Sequence, residues 1–197
     1  MKQLKMLSLG AIAALGLMAC VGVSTSAATT LATDSAGTTK YTAGTELHAT
    51  MKPGTSATLK DTSGNTTATC TESTVKGTLE TATGTWAVGS LTAQTLGGCS
   101  QTTDPVSPGT LEVMQSSGDA GTVAGKHSKM TIEYFGVSCV YGTGEGTTLG
   151  TITGGEASEF VISAPISKTS GGFLCPSTTT FTATYVITSP HALHIIS

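Results

Sequence analysis

Hydrophobic and polar residues alternate with a period of two along most of this chain. Residues 74–80 place Thr74, Lys76, Thr78 and Glu80 on one face and Val75, Gly77 and Leu79 on the other. Residues 129–140 set Met130, Ile132 and Tyr134 against Thr131, Glu133 and Phe135. Such alternation marks a half-buried strand. Further strands are predicted over 47–51, 57–60, 66–71, 86–96, 111–114, 121–124, 147–153, 159–164, 179–188 and 191–196. Punctuation comes from turn formers such as Pro53-Gly54 and Asp61-Thr62-Ser63-Gly64-Asn65. Residues 100–109, with Pro105 and Pro108, are predicted as a loop between two halves. No segment beyond the first 27 residues repeats with a helical period. The pattern therefore predicts an all-β chain, an antiparallel β-sandwich of two pseudo-repeated halves, with a closed barrel as the alternative.

The N-terminus departs from this pattern. Lys2 and Lys5 precede an apolar run over 7–23, followed by Ser24-Thr25-Ser26-Ala27-Ala28. A positive start, an apolar stretch and a small-residue site define a secretory signal peptide, read here as residues 1–27. Leu17-Met18-Ala19-Cys20 resembles a lipobox, which makes Cys20 a candidate lipidation site. Residues 28–45 are small, polar and aperiodic and are expected to be a flexible linker, with a poorly ordered first strand as the alternative. Residues 46–197 form the expected β domain.

Composition agrees with strands. Aromatics make up 5% of the 197 residues and charged residues 11%, with 25 glycines. All nine basic residues are lysines, and Lys2 and Lys5 lie in the leader. With no arginine and no basic stripe, nucleic acid is not an expected partner.

Beyond the leader the cysteines are Cys70, Cys99, Cys139 and Cys175. Four cysteines in an exported chain imply two disulfides. Each of two stretches opens on a cysteine in a strand-like run. Each closes on a cysteine shortly after a Gly-Gly pair, at Gly97-Gly98-Cys99 and at Gly171-Gly172-Phe173-Leu174-Cys175. That shared layout favours Cys70–Cys99 and Cys139–Cys175. The location implied is extracellular, periplasmic or at the cell surface, with lipid anchoring through Cys20 as a variant.

Candidate chemistry is sparse. No CxxC occurs and no histidine stands at ligand spacing from a cysteine, so no metal or other cofactor is expected. His191 and His194 form the sole histidine cluster, and on a strand their odd spacing points them to opposite faces. Gly136-Val137-Ser138-Cys139-Val140 lacks the final glycine of a nucleophile elbow. Gly142-Thr143-Gly144-Glu145-Gly146 is followed by a strand rather than the helix that a phosphate loop needs. Glu133, Glu156 and Glu159 lie in or beside strands and are the candidate paired acids for glycoside hydrolysis, but Trp86 is the only tryptophan available as a sugar platform. The chain is expected to be non-catalytic.

One resemblance adds to this reading. The order of leader, Cys70, Val75-Lys76-Gly77-Thr78-Leu79, Leu96-Gly97-Gly98-Cys99, Cys139-Val140-Tyr141 and Thr182-Ala183-Thr184-Tyr185-Val186-Ile187 is similar to small secreted bacterial β proteins. That group includes the protein activator of alkane oxidation. The resemblance covers residues 46–196 and carries no catalytic motif. It implies an exported accessory factor that assists alkane utilisation or acts at surfaces and in biofilm, with hydrophobic substrate or cell-surface components as partners. The alternative is a structural or adhesive cell-surface subunit, self-associating through residues 28–45 or 191–197 as donor strands.

Overall fold

A computed structural model describes residues 28–197; the leader and Cys20 lie outside the described residues. The strands in chain order are β1 (Thr29–Ala32), β2 (Glu46–Met51), β3 (Ala57–Lys60), β4 (Thr66–Cys70), β5 (Glu72–Thr81), β6 (Thr83–Gly84), β7 (Ala87–Gly97) and β8 (Thr103–Ser107). Then come β9 (Thr110–Ser117), β10 (Ala120–Lys126), β11 (Lys129–Tyr134), β12 (Val137–Gly142), β13 (Thr147–Thr153), β14 (Glu159–Ser170), β15 (Thr178–Ser189) and β16 (His194–Ile196). No helix occurs among the described residues.

The main sheet closes on itself. Antiparallel ladders run β15–β2–β5–β7–β9–β10–β13–β14, and β14 pairs back to β15 from Glu159↔Val186 to Ser167↔Thr178. This makes an eight-stranded barrel and corrects the expected sandwich. The two halves of the chain do not fold separately either, because β15 near the C-terminus pairs with β2 and β3 from the first half. Alternation fixes which face of a strand is apolar, but it does not say which strands are neighbours.

Two long strands create the closure. The first part of β14 pairs with β13, and its end pairs with β12. Likewise the end of β15 pairs with β2, while its start pairs with β3. Pro165 falls where β14 exchanges partners, so its missing N–H leaves no gap in a ladder. Below the barrel two wings extend the sheet, β3–β4 on one side and β12–β11–β8 on the other. The expected loop over 100–109 thus contains an edge strand, β8, and an edge is where a strand tolerates Pro105.

The predicted run over 129–140 is a hairpin rather than one strand. Phe135 and Gly136 take φ of 49° and 73°, and β11 and β12 pair on either side. A two-residue turn with both central φ positive matches the twist of its strands. The sequence carried no Asn-Gly or Asp-Gly to signal it.

The expected flexible linker contains a buried strand. β1 pairs with β16 from Thr30↔Ile196 to Ala32↔His194 and with β6 at Thr29↔Gly84. All four of its residues are buried, with Leu31 and Ile195 2% and 0% exposed. Thr29 Oγ1 accepts from the Gln115 amide at 2.8 Å, which ties β1 to the barrel wall. This small sheet closes the upper end of the barrel. Both proposed donor strands are therefore engaged within the chain.

The disulfides are Cys70–Cys99 and Cys139–Cys175, 29 and 36 positions apart, the pairing favoured by the shared layout. Each ties a wing to a segment leaving the barrel wall. The glycines beside them have a task. Gly98 has φ 58°, and a Cβ there would overlap Thr71 Oγ1. At Gly171, φ is 129° and a Cβ would lie 2.7 Å from Cys175 Sγ and 3.0 Å from the Ser138 carbonyl. Side chains are excluded at both turns by backbone conformation and by space. Two disulfides are compatible with an exported protein in an oxidising compartment.

Candidate binding cavity

The barrel encloses an apolar cavity of about 150 Å³. Every barrel strand contributes to its wall, for instance Leu47, Val75, Leu91, Leu111, Val123, Leu149, Phe160 and Ile187. Inward apolar and outward polar positions produce this. Along β15, Phe181, Ala183 and Tyr185 are buried while Thr180, Thr182 and Thr184 reach the surface. A membrane-spanning barrel carries its apolar band outside and its polar face inside, the reverse arrangement. Gly77 and Gly89 face each other's strands on β5 and β7 and add no side-chain volume, which leaves part of the space empty. A cavity of similar size lined by Leu, Ile and Phe stays dry and holds benzene.

The upper end is sealed. Leu31, Leu193 and Ile195 from the terminal segments pack with Val123 and Ile152. The Tyr41 hydroxyl donates to the Ala192 carbonyl across that end. Asp119 completes the seal: Oδ2 lies 2.6 Å from His194 Nδ1 and Oδ1 accepts from the Ile195 amide at 2.6 Å. The sequence pattern marks His194 only as one of two neighbouring histidines; its partner Asp119 stands 75 positions away, too far for local spacing to reveal. Through His194 and the Ile195 amide, Asp119 holds β16 in place. His191, the other member of the cluster, lies outside the pair.

The wall has a seam lower down. The β7–β9 ladder ends at Ser90↔Thr110, with one further bond from the Leu91 amide to the Gly109 carbonyl at 2.9 Å. Beyond it β7 continues to Gly97 paired only with β5. Leu91 and Gln94 on this free flank, and Ser128 and Met130 across from it, all line the cavity.

Polar groups at the lower wall form one chain. Tyr185 and Ser73 hydroxyls lie 2.9 Å apart, and Ser73 Oγ lies 2.9 Å from the Thr95 carbonyl. Burial pushes the Tyr185 hydroxyl above its usual pKa, opposed in part by Ser73 and Gln94.

The remaining candidates stay apart. Glu159 pairs with Lys52 at 2.5 Å, while Glu133 stands at an exposed position of β11. Among the described residues no group of three His, Cys, Asp or Glu could hold a metal ion. At the far end from the terminal strands, Phe135 and Phe173 are 80% and 94% exposed. They sit on adjoining turns, since a Cβ on Gly172 would lie 3.3 Å from Val137 Cγ1. No family model matches the chain, and no curated protein or solved structure matches it either.

Proposed function

We propose that this is an exported, non-catalytic accessory protein whose barrel takes up one small apolar molecule, a role suited to handling a hydrophobic substrate such as a short alkane. The observation that carries this is the apolar cavity of about 150 Å³ within the eight-stranded wall. Small barrels of this strand number are either filled by side chains or hold one small ligand. Burying apolar ligand surface there is favourable by about 25 cal/mol per Å². The disulfides support the exported location.

Binding of benzene or hexane to the processed chain, followed by NMR shifts of Val123 and Ile152 methyls, tests this. Saturable shifts confined to cavity residues are expected. Ala49→Phe, which fills space at the wall, abolishes them. Shifts that are absent, or that are unchanged by Ala49→Phe, contradict the proposal.

The adhesive reading has one observation in its favour, the exposed Phe135 and Phe173 on adjoining turns. Attachment of the purified protein to a hydrophobic surface, compared with a Phe135→Ser, Phe173→Ser variant, tests it. Equal attachment of both removes it.

A further inference from the structure

The polar chain at the lower wall assigns a ligand class to the cavity, an inference that rests on the apolar-ligand reading above. A carbonyl only accepts hydrogen bonds, and a hydroxyl has one proton. Ser73 therefore donates to the Thr95 carbonyl, and the Tyr185 hydroxyl donates to Ser73. The Tyr185 oxygen keeps its lone pairs. Gln94 lines the cavity as well, and its side-chain amide carries one acceptor oxygen and two N–H donors.

Gln94 also stands on the stretch of β7 that has no partner on its seam side. The polar end of the cavity is thus at the seam, and the apolar end lies toward Val123 and Ile152 under the terminal strands. No lysine, aspartate or glutamate lines the cavity among the described residues. His48 touches it from β2, but its Nε2 lies 3.7 Å from Glu46 Oε2 at the surface.

We propose that the cavity takes a neutral amphiphile of the short-chain alcohol class. Its hydroxyl donates to Gln94 at the seam and its alkyl chain runs up the barrel. A carboxylate of the same length is disfavoured because its charge is desolvated with no lysine or arginine in the wall.

Calorimetric titration of the processed chain with 1-hexanol, hexanoate and hexane at pH 7 tests this, with Gln94→Leu and Tyr185→Phe as variants. Hexanol is expected to bind at least about tenfold more tightly than hexanoate. Gln94→Leu weakens hexanol by up to about tenfold, the worth of one hydrogen bond, and leaves hexane unchanged. Tyr185→Phe, which keeps the ring, removes the donor to Ser73 and also weakens hexanol selectively. Hexanoate binding as well as hexanol, or hexanol unaffected by Gln94→Leu, overturns the alcohol assignment while hexane binding leaves the apolar cavity standing. Failure of hexane and hexanol alike overturns both.

Discussion

Asp34 holds the turn that follows the first strand. Its Oδ1 accepts from the Thr38 amide at 3.0 Å, and its Oδ2 accepts from the Thr38 hydroxyl at 2.7 Å and the Thr39 amide at 3.0 Å. These bonds favour the carboxylate, chiefly those from Thr38, and lower its pKa from 3.8 to about 2. A lowered folded-state value contributes stability above pH 3.8 that is lost as pH falls through about 2. An NMR titration of the Asp34 carboxyl should have its midpoint near that lower value, and the Thr38 and Thr39 amides should lose protection over the same range. A midpoint at the ordinary value contradicts the turn. Two glycines of the cavity wall give a second residue-level expectation. A Cβ on Gly89 would meet the Thr78 carbonyl at 3.7 Å, an ordinary contact, whereas on Gly77 it would lie 2.8 Å from the Ser90 carbonyl. Gly89→Ala should stabilise by about 0.5 kcal/mol through the unfolded chain. Gly77→Ala should destabilise by about 1–3 kcal/mol. Urea unfolding of both variants checks the contrast.

At the scale of elements, the terminal strands close the barrel, and Leu31 is their buried anchor. Leu31→Ala should cost about 2–4 kcal/mol. Amide exchange in β16 should quicken with it, while β11 and β12 keep their protection. Uniform loss everywhere would mean that the terminal sheet is not a separate closure. Legibility varies among elements for physical reasons. β15 was readable because Phe181, Ala183 and Tyr185 alternate with threonines. β1 was legible only as the alternative to a linker, because Thr29–Ala32 is buried on both faces and so shows no alternation. The β11–β12 turn was hidden because Phe135 adopts a positive φ that is uncommon for its residue type. β8 was hidden by Pro105, which only an edge position permits.

For the whole molecule, the four cysteines gave the cross-links, since their spacing and Gly-Gly context are local features. Replacing Cys139 and Cys175 together by Ala should lower stability by about 3–4 kcal/mol in the chain-entropy picture, measured by denaturant unfolding under oxidising conditions. Barrel closure was not legible, because β14 and β15 exchange partners midway, and pairing between distant strands leaves no mark on a period-two pattern. The cavity was less legible still. Leu47, Leu111, Val123 and Phe160 read as ordinary core residues, and only closure shows that they surround a space they do not fill. The proposed apolar-ligand role rests on that space. Crystals of the processed chain pressurised with xenon test it most directly. A xenon site among Leu111, Val123, Ile152 and Phe160 is the expected result; a barrel interior filled by side chains, with no xenon in it, would contradict the account.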